Sequence, residues 1–275
     1  MQEKIIVHYP QDEMTTFLLP ITQGCSYNKC KFCTMYKDQR YKEVSLSEIE
    51  LILKSGHLYT EKVFLVGADP LSLGFEKTLH ILGLIKKHLH YCACVASYAS
   101  IRNIARYSEK ELTILHNAGL RLLYIGFETG RDDILKKMNK PHSLTEALRE
   151  AKKLNRAHLP FNTIVLSGIA GSAQGIKNAE ATAQMINKFT TNKVITMKLM
   201  VFHGSLLAEE VKKGDFIPAA KEELLLELEH LLTHLQVKKP MIFDTTHPSN
   251  IIKIKGTLPQ DKRRLINKIR QAKDK

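Results

Sequence analysis

The 275-residue sequence contains no tryptophan, and aromatic residues make up only 7% of it. It also lacks any apolar run of the roughly 18 residues that a membrane-spanning helix needs. Its start, MQEKIIVHYPQDE, does not have the basic-then-apolar layout of a secretory signal. We therefore expect a cytoplasmic protein that makes no membrane contact. With 44% hydrophobic and 25% charged residues, the composition is typical of a globular chain and excludes a disordered one.

Cysteines are too few and too unevenly placed for a disulfide framework. There are five in the chain, and three of them fall between positions 25 and 33. In a reducing compartment such a group usually binds metal or takes part in chemistry.

Acidic residues are in short supply. Lys and Arg number 41 against 28 Asp and Glu, which gives a formal net charge of +13. That charge suits an anionic partner, either RNA or an anionic small molecule such as a porphyrin. However, the sequence has no basic strand studded with aromatics of the kind that stacks bases. The densest basic run, DKRRLINKIRQAKDK, spaces Arg263, Leu265, Ile266 and Ile269 as in an amphipathic helix. We interpret it as a helix whose charges face water.

Apolar runs and breakers predict strands that alternate with helices. The strand-like runs cover residues 16–21, 62–67, 92–97, 121–127, 162–168 and 194–202. Ser45 or Ser47 can cap the first helix, and Ser108 with Glu111 forms a capping box that begins another. The strands are nearly all apolar, which favours a parallel sheet. A doubly wound open sheet and a partial barrel both fit, and both bind ligands at the carboxyl ends of their strands.

The alternation stops after residue 205. KEELLLELEHLLTHLQV predicts a long helix, MIFDT a short strand and DKRRLINKIRQA a final helix. Because no Pro-, Ser- or Gly-rich linker precedes them, we expect a core over 1–205 and a C-terminal extension over 206–275 that packs on it.

The stretch GCSYNKCKFCTMY follows the first predicted strand and holds Cys25, Cys30 and Cys33. Three thiolates can hold a four-iron cluster while one iron keeps no protein ligand. An open coordination position is where a substrate or cofactor can be activated.

Two other metal centres would use the same cysteines. A structural zinc site, as in a zinc-stabilised nucleic-acid-binding protein, needs a fourth ligand, and His57 or the pair Cys92 and Cys94 could supply it. A two-iron ferredoxin loop begins with the same spacing, and an iron–sulfur electron carrier of that type would also need a fourth cysteine. Cys92 and Cys94 fall in a predicted strand, so we interpret them as small buried residues.

The cysteine loop resembles that of the radical S-adenosylmethionine (SAM) enzymes. Phe32 precedes the third cysteine as in that superfamily, although four residues separate Cys25 from Cys30 where the usual signature has three. The loop from Gly24 to Tyr36 is similar to that of a branch of small iron–sulfur oxidoreductase-like members.

Turns after later strands extend the resemblance. Gly67-Ala68-Asp69-Pro70 stands where the superfamily has a Gly-Gly-Glu-Pro-like turn near the amino group of SAM, and Ser97 ends the third strand at the same rim. Gly126-Phe127-Glu128-Thr129-Gly130 is similar to a Gly-x-Glu-[Ser/Thr]-Gly turn and is followed by a Leu-x-x-Met-x-Lys segment. Gly168-Ile169-Ala170-Gly171 follows the fifth strand.

The resemblance implies the fold, the cofactors and a set of site residues. The fold would be an α/β partial (β/α)6 TIM-like barrel with a C-terminal helical extension. The cofactors would be one 4Fe–4S cluster on the three cysteines and SAM at its open iron, reduced by an external flavodoxin- or ferredoxin-like donor. Reductive cleavage of SAM would produce a 5′-deoxyadenosyl radical that takes hydrogen from an unidentified substrate. The implied SAM contacts are Phe32, Gly67, Ala68, Asp69, Ser97, Glu128 (to the ribose), Gly168 and Ala170 (to the adenine).

The segment FDTTHPSN carries Asp244 and His247, which could face a substrate or form a turn. We interpret them as turn-forming.

Overall fold

The computed structural model describes residues 8–56 and 59–273. The candidate zinc ligand His57 therefore lies outside the described residues. The chain forms two compact units, of which the first comprises the described residues of 1–28, 35–125 and 153–160, and the second comprises 29–34, 126–152 and the described residues from 161 onward.

The first unit is built on parallel strands with helices between them. Its main strands are β1 (Phe17–Pro20), β4 (Lys62–Val66), β5 (Cys94–Ala99) and β6 (Leu120–Glu128, as far as Ile125), and a small antiparallel pair is formed by β2 (Thr22–Gln23) and β3 (Lys42–Glu43). β4 pairs in parallel with β1 and β5, and β5 pairs in parallel with β6. Its helices are α1 (Leu46–Lys54), α2 (Phe75–His88), α3 (Ile101–Ile104) and α4 (Glu109–Asn117).

Two helices of this unit begin at N-cap residues that the sequence predicted. Ser45 accepts from the Glu48 amide at the start of α1, and Ser108 forms the predicted capping box with Glu111 at the start of α4. The interior of the unit contains Phe64 and Tyr124, both fully buried, whose rings lie 6.1 Å apart in an edge-to-face arrangement.

The second unit repeats the pattern and adds an antiparallel strand. Its strands are β7 (Phe161–Ser167), β8 (Lys193–Lys198), β9 (Met241–Asp244) and β10 (Lys255–Leu258). β8 pairs in parallel with β7 and β9, whereas β10 runs antiparallel to β9. Its helices are α5 (Asp132–Lys137), α6 (Leu144–Arg156, as far as residue 152), α7 (Gly175–Ile186), α8 (Leu206–Lys213), α9 (Lys221–His234) and α10 (Lys262–Lys273).

Two helices of the second unit pack closely side by side. α7 presents Gly175, Ala179 and Ala183, all buried, at a spacing of four residues. A Cβ added at Gly175 would lie 3.1 Å from the Cβ of Glu227 on α9, so the two helices approach each other where side chains are smallest. α10 is amphipathic as predicted, because Leu265 and Ile269 are fully buried. Its charges do not all face water, since Arg270 and Lys273 both pair with Glu229 of α9.

The α/β alternation over residues 16–205 is confirmed. Five of the six predicted strands match observed ones to within about two residues, whereas the sixth, predicted over 194–202, ends at Lys198. Residues 206–273 contain α8, α9, α10 and two strands, so the extension is helical with one antiparallel strand pair. The division into a core over 1–205 and an extension over 206–275 stays a prediction. No helix among residues 8–56 and 59–273 is both long and apolar enough to cross a lipid bilayer.

Candidate active site

In the first unit, the chain after β1 turns sharply at Cys25. Gly24 has a positive φ of 67°, and a Cβ there would lie 2.7 Å from the Arg40 carbonyl oxygen, so only glycine fits this close approach. The Asn28 amide donates to the Cys25 Sγ at 3.3 Å, and the Asn28 side chain donates to the carbonyl of Tyr36 at 2.8 Å.

Asp69 lies at the carboxyl end of β4, directly before Pro70. Its side chain is 6% exposed and does not cap the 3₁₀ turn that follows. Its carboxylate instead accepts from the side-chain amide of Asn103 at 2.6 Å. The same Asn103 nitrogen lies 3.4 Å from the Ser26 hydroxyl oxygen. Asn103 was not among the residues predicted from the sequence, and it holds the Asp69 carboxylate in one orientation beside the residue that follows Cys25.

The other predicted contacts of this unit are more enclosed. Ser97 is fully buried, and its hydroxyl donates to the carbonyl of Tyr98 at 2.8 Å. Gly67 packs against Thr22, because a Cβ at Gly67 would lie 2.0 Å from the Thr22 hydroxyl oxygen. Ala68 is half-buried in the same turn. The roles of Gly67, Ala68 and Ser97 toward SAM stay predictions.

Cys92 and Cys94 lie at the amino end of the parallel strands, whereas Cys25 lies beyond the carboxyl end. Cys92 precedes β5, and both cysteines are half-buried, so the prediction of buried strand residues is only partly correct. Cys94 begins β5, whereas Cys25 follows the end of β1, and the strands between them run in parallel. Burial raises the pKa of both thiols, Cys92 and Cys94, so they stay protonated at neutral pH. This placement argues against a ferredoxin-type or zinc site that would combine Cys25 with either of them.

In the second unit, residues 29–34 carry Cys30 and Cys33 and are tied to neighbouring elements at three points. The Lys31 amide donates to the Met138 carbonyl at 3.1 Å, and the Leu207 amide donates to the Lys31 carbonyl at 3.0 Å. The Asn139 side chain donates to the Lys29 carbonyl at 2.8 Å. Phe32 packs against the buried apolar cluster that contains Met138 and Leu207.

The turn at the end of β6 carries Glu128, which belongs to the same unit as this cysteine segment. Glu128 is 8% exposed and has a positive φ of 65°, which is unusual for a residue with a side chain. A Cβ at Gly126 would lie 2.4 Å from the Glu128 Oε1, so the glycine makes room for the carboxylate. At Gly130 a Cβ would lie 2.2 Å from the Ala181 carbonyl of α7, so the second glycine allows the turn to contact that helix.

The residue between Glu128 and Gly130 anchors the turn. The fully buried Thr129 donates its hydroxyl proton to the Asn178 Oδ1 at 2.5 Å, and the Gly130 amide donates to the Thr182 hydroxyl at 3.0 Å. The Gly-x-Glu-Thr-Gly pattern therefore fixes one conformation of the turn, and that conformation directs the Glu128 carboxylate.

Glu128 pairs with Lys140, whose Nζ donates to the Glu128 Oε1 at 2.8 Å. Both side chains are largely buried, with 12% of Lys140 and 10% of Glu128 exposed. Burial opposes the charge on Lys140, but Glu128 together with Cys30 and Cys33 overcomes this and raises its pKa. The Lys140 Nζ also lies 6.0 Å from the centre of the Phe32 ring. Lys140 was not predicted as a site residue, although it is the lysine of the Leu-x-x-Met-x-Lys segment and the sequence therefore contained a signal for it.

The two predicted adenine contacts, Gly168 and Ala170, already make contacts with other residues of the second unit. The Gly168 amide donates to Glu227 at 2.7 Å, and its carbonyl accepts from the Gly171 amide at 3.0 Å. Ala170 is 7% exposed and belongs to the apolar cluster that Phe32 contacts. The roles of Gly168 and Ala170 toward adenine stay predictions.

Glu227, which accepts from the Gly168 amide, also accepts from the Asn178 side chain at 2.7 Å. Burial raises the pKa of Glu227 to about 7 in spite of both hydrogen bonds.

The predicted turn lies at residues 247–249 and includes His247, whereas Asp244 is the last residue of β9 and its Oδ2 lies 3.2 Å from the Lys255 Nζ. Asp244 accepts from both the amide and the hydroxyl of Thr246, at 2.9 and 2.7 Å. The His247 Nδ1 lies 2.7 Å from the Ser249 hydroxyl.

Thiolates are the ligands that hold iron–sulfur clusters, and each unit contains residues whose chemistry suits such a centre. Cys30 and Cys33 share a segment with no further cysteine, and the buried cation of Lys140 offsets the negative charge that thiolates bring. In the first unit, Cys25 accepts a backbone N–H and Asp69 is oriented by Asn103.

Comparison with known proteins agrees with the motifs. Residues 19–172 match the family model described as the Radical SAM superfamily. The chain is 27% identical over 205 residues to the heme chaperone HemW of Bacillus subtilis (strain 168), an alignment that covers 74% of this chain and 54% of that protein. The chain thus spans about half the length of this curated relative.

Three solved structures share the fold at low sequence identity. Coproporphyrinogen III oxidase (HemN) from Escherichia coli has a TM-score of 0.61 at 13% identity and covers 79% of this chain and 52% of its own. Methylornithine synthase (PylB) has a TM-score of 0.57 at 14% identity, with 80% and 63% covered. The archaeal Methanocaldococcus infernus Elp3 has a TM-score of 0.55 at 16% identity, with 94% and 63% covered. The predicted α/β fold of the partial TIM-barrel class is thereby confirmed.

Proposed function

Because the chain belongs to the radical SAM superfamily, we propose that it is a radical SAM enzyme whose cluster is held by Cys25, Cys30 and Cys33. These cysteines would hold a 4Fe–4S cluster, which when bound would supply the electron for reductive cleavage of SAM and so allow hydrogen-atom abstraction from the substrate. The observation that carries the proposal is the buried ion pair between Glu128 and Lys140. It links the Gly-x-Glu-Thr-Gly turn to the cysteine segment, because Cys30 and Cys33 act electrostatically on the same lysine.

The protein's own residues then have separate tasks. Lys140 stabilises the thiolate forms of Cys30 and Cys33 and holds the Glu128 carboxylate in place. Glu128 keeps an acceptor available for a ribose hydroxyl, since a carboxylate has about four lone-pair sites and Lys140 uses one. Asp69, oriented by Asn103, offers an acceptor for the amino group of SAM. Phe32 and its apolar neighbours exclude water beside the cysteine segment.

The substrate is proposed only as a class. The net charge of +13 favours an anionic molecule, either a small one such as a porphyrin or RNA. A flavodoxin- or ferredoxin-like protein would supply the electron.

The test is anaerobic reconstitution followed by incubation of the protein with SAM and dithionite. We expect about one four-iron cluster per chain and formation of 5′-deoxyadenosine, measured by iron and sulfide assay and by chromatography. A two-iron spectrum, or tightly bound zinc in place of iron, would overturn the proposal.

A second candidate function is heme transfer without SAM cleavage, favoured by the similarity to the heme chaperone HemW. In that case the reconstituted protein would bind hemin with a distinct Soret band and would form no 5′-deoxyadenosine. The two assays on one preparation therefore separate the candidates.

A further inference from the structure

A group of metal-ligating side chains lies on α7 and α9, and its members take no part in the hydrogen bonds described above. It consists of Glu180 on α7 and of His230 and His234 on α9, and one potential ligand atom of each lies within 4.8 Å of the others. The two histidines are four residues apart, so they stand on the same face of α9. Their rings are nearly parallel, with centres 5.8 Å apart.

The hydrogen bonds of the histidines leave a ligand nitrogen free on each ring. The His234 Nδ1 lies 2.8 Å from the His230 carbonyl, and because a carbonyl only accepts, this nitrogen carries the proton. In the neutral ring the His234 Nε2 then holds a lone pair, and this nitrogen lies 4.0 Å from the Glu180 Oε1. A histidine that donates one nitrogen to a backbone carbonyl and offers the other is the usual arrangement around protein-bound metals.

His230 presents a similar nitrogen to the same carboxylate. Its Nδ1 is buried, has no hydrogen-bond partner among the described residues, and lies 3.8 Å from the Glu180 Oε1. A polar atom left in this state is unfavourable unless a ligand completes it. The Glu180 carboxylate supplies the negative charge that two neutral imidazoles lack.

The distances suit a small transition-metal ion after a modest movement. Tetrahedral zinc with bonds of roughly 2.0–2.1 Å needs ligand atoms about 3.4 Å apart. Glu180 and His234 keep 42% and 45% of their side chains exposed, so rotation about their side-chain bonds can close the remaining gap. The backbone does not have to move, because α7 and α9 are already held together by the Asn178–Glu227 hydrogen bond.

We propose that Glu180, His230 and His234 form a binding site for one divalent first-row transition-metal ion, of the Zn²⁺ class, with water at the fourth position. Two imidazoles and one carboxylate are ligands of intermediate softness, which favour such ions over Mg²⁺ or Ca²⁺. The ion would link α7, which follows β7, to α9 of the C-terminal extension. The site is independent of the proposed reaction and of the cysteine loop.

The test is a Zn²⁺ titration of the full chain loaded with its iron–sulfur cluster. Calorimetry measures the Kd for Zn²⁺, and metal analysis measures the zinc and iron content per chain. We expect one Zn²⁺ per chain in addition to iron, and a rise in Kd of about tenfold or more in His234→Ala and in Glu180→Gln. His88→Ala is the matched control. The His88 Nε2 lies 2.9 Å from the Glu50 Oε1, but this pair belongs to no group of three metal-ligating side chains among the described residues, so the Kd of the variant should equal that of the wild type.

A full chain with Cys25, Cys30 and Cys33 all changed to alanine separates this site from adventitious zinc on thiolates. It should retain the Zn²⁺ site, and its Co²⁺ form should show no thiolate charge-transfer band. If this chain binds no Zn²⁺, or if His234→Ala binds it as tightly as the wild type, the proposal is wrong. Circular dichroism on each variant distinguishes loss of the site from loss of the fold.

Discussion

The Lys140 Nζ lies 2.8 Å from the Glu128 Oε1, and both side chains are almost entirely removed from solvent. Glu128 is the last residue of β6 and Lys140 follows the short helix α5, so the ion pair links the two ends of the segment that contains this helix. Cys30 and Cys33 contribute to the electrostatic environment of the same lysine. A buried pair of this kind is costly to break from either side, since the remaining charge has no solvent to stabilise it.

Lys140→Met should lower the reduction potential of the reconstituted cluster. Removing a buried positive charge beside the thiolates leaves Glu128 as net negative charge, and this disfavours addition of an electron. Potentiometric titration followed by electron paramagnetic resonance measures the change. Lys136→Met, an exposed lysine of α5, removes the same charge and should leave the potential close to that of the wild type. Equal potentials in Lys140→Met and Lys136→Met would show that Lys140 does not act on the cluster.

Glu128→Gln should weaken SAM binding by roughly tenfold while the iron content stays unchanged, because a charged acceptor is replaced by a neutral one. Equilibrium binding of SAM under anaerobic conditions measures this. Asp133→Asn is the control, since Asp133 pairs with Arg131 at the surface of α5. An unchanged Kd for SAM in Glu128→Gln would remove this residue from the binding site.

Cys30→Ala should abolish both the four-iron cluster and 5′-deoxyadenosine formation, whereas Cys94→Ala should preserve both. Cys94 begins β5 and its pKa is raised by burial, which makes it a poor ligand. Iron analysis and absorption spectra after reconstitution compare the two variants. Loss of the cluster in Cys94→Ala with an intact fold would contradict the assignment of ligands.

Glu227→Gln should reduce the dependence of stability on pH. Burial raises the pKa of Glu227 from the ordinary 4.5 to about 7, so the folded state binds more protons than the unfolded state between these values. The contribution of this group to stability is therefore fully present below about pH 4.5 and is lost as the pH rises through 7, in total on the order of 3 kcal/mol.

Urea unfolding at pH 5 and pH 7.5 measures this dependence. The difference between the two pH values should be smaller in Glu227→Gln than in the wild type. Glu222→Gln, an exposed glutamate on the same helix, should retain the wild-type difference. Identical pH dependence in Glu227→Gln and the wild type would show that Glu227 titrates normally in the folded state.

Most of the strand–helix order could be predicted from the sequence because the strands are nearly continuous apolar runs. β7, for example, was predicted at 162–168 and occurs at Phe161–Ser167. β10 was missed, since Lys255–Leu258 is short, half exposed and defined by its antiparallel pairing with β9. Pairing of that kind depends on tertiary structure, and local propensity does not report it.

The site was predictable only in part, for a similar reason. The motifs named Cys30 and Glu128, and the Leu-x-x-Met-x-Lys segment contains Lys140, but that pattern does not show that this lysine contacts the Glu128 carboxylate. That contact depends on the left-handed backbone of Glu128 and on the space that Gly126 leaves for the carboxylate. Asn103 was missed likewise, because it reaches Asp69 across 34 positions of sequence.

The left-handed backbone of Glu128 has a consequence for protein engineering. At φ 65° a non-glycine residue costs on the order of 1 kcal/mol or more relative to glycine. A design procedure that scored backbone geometry alone would therefore choose glycine there and would delete the carboxylate. At this position thermostability favours glycine, whereas the chemistry of the site requires glutamate. A mutant library selected only for heat resistance should therefore keep Glu128 constant.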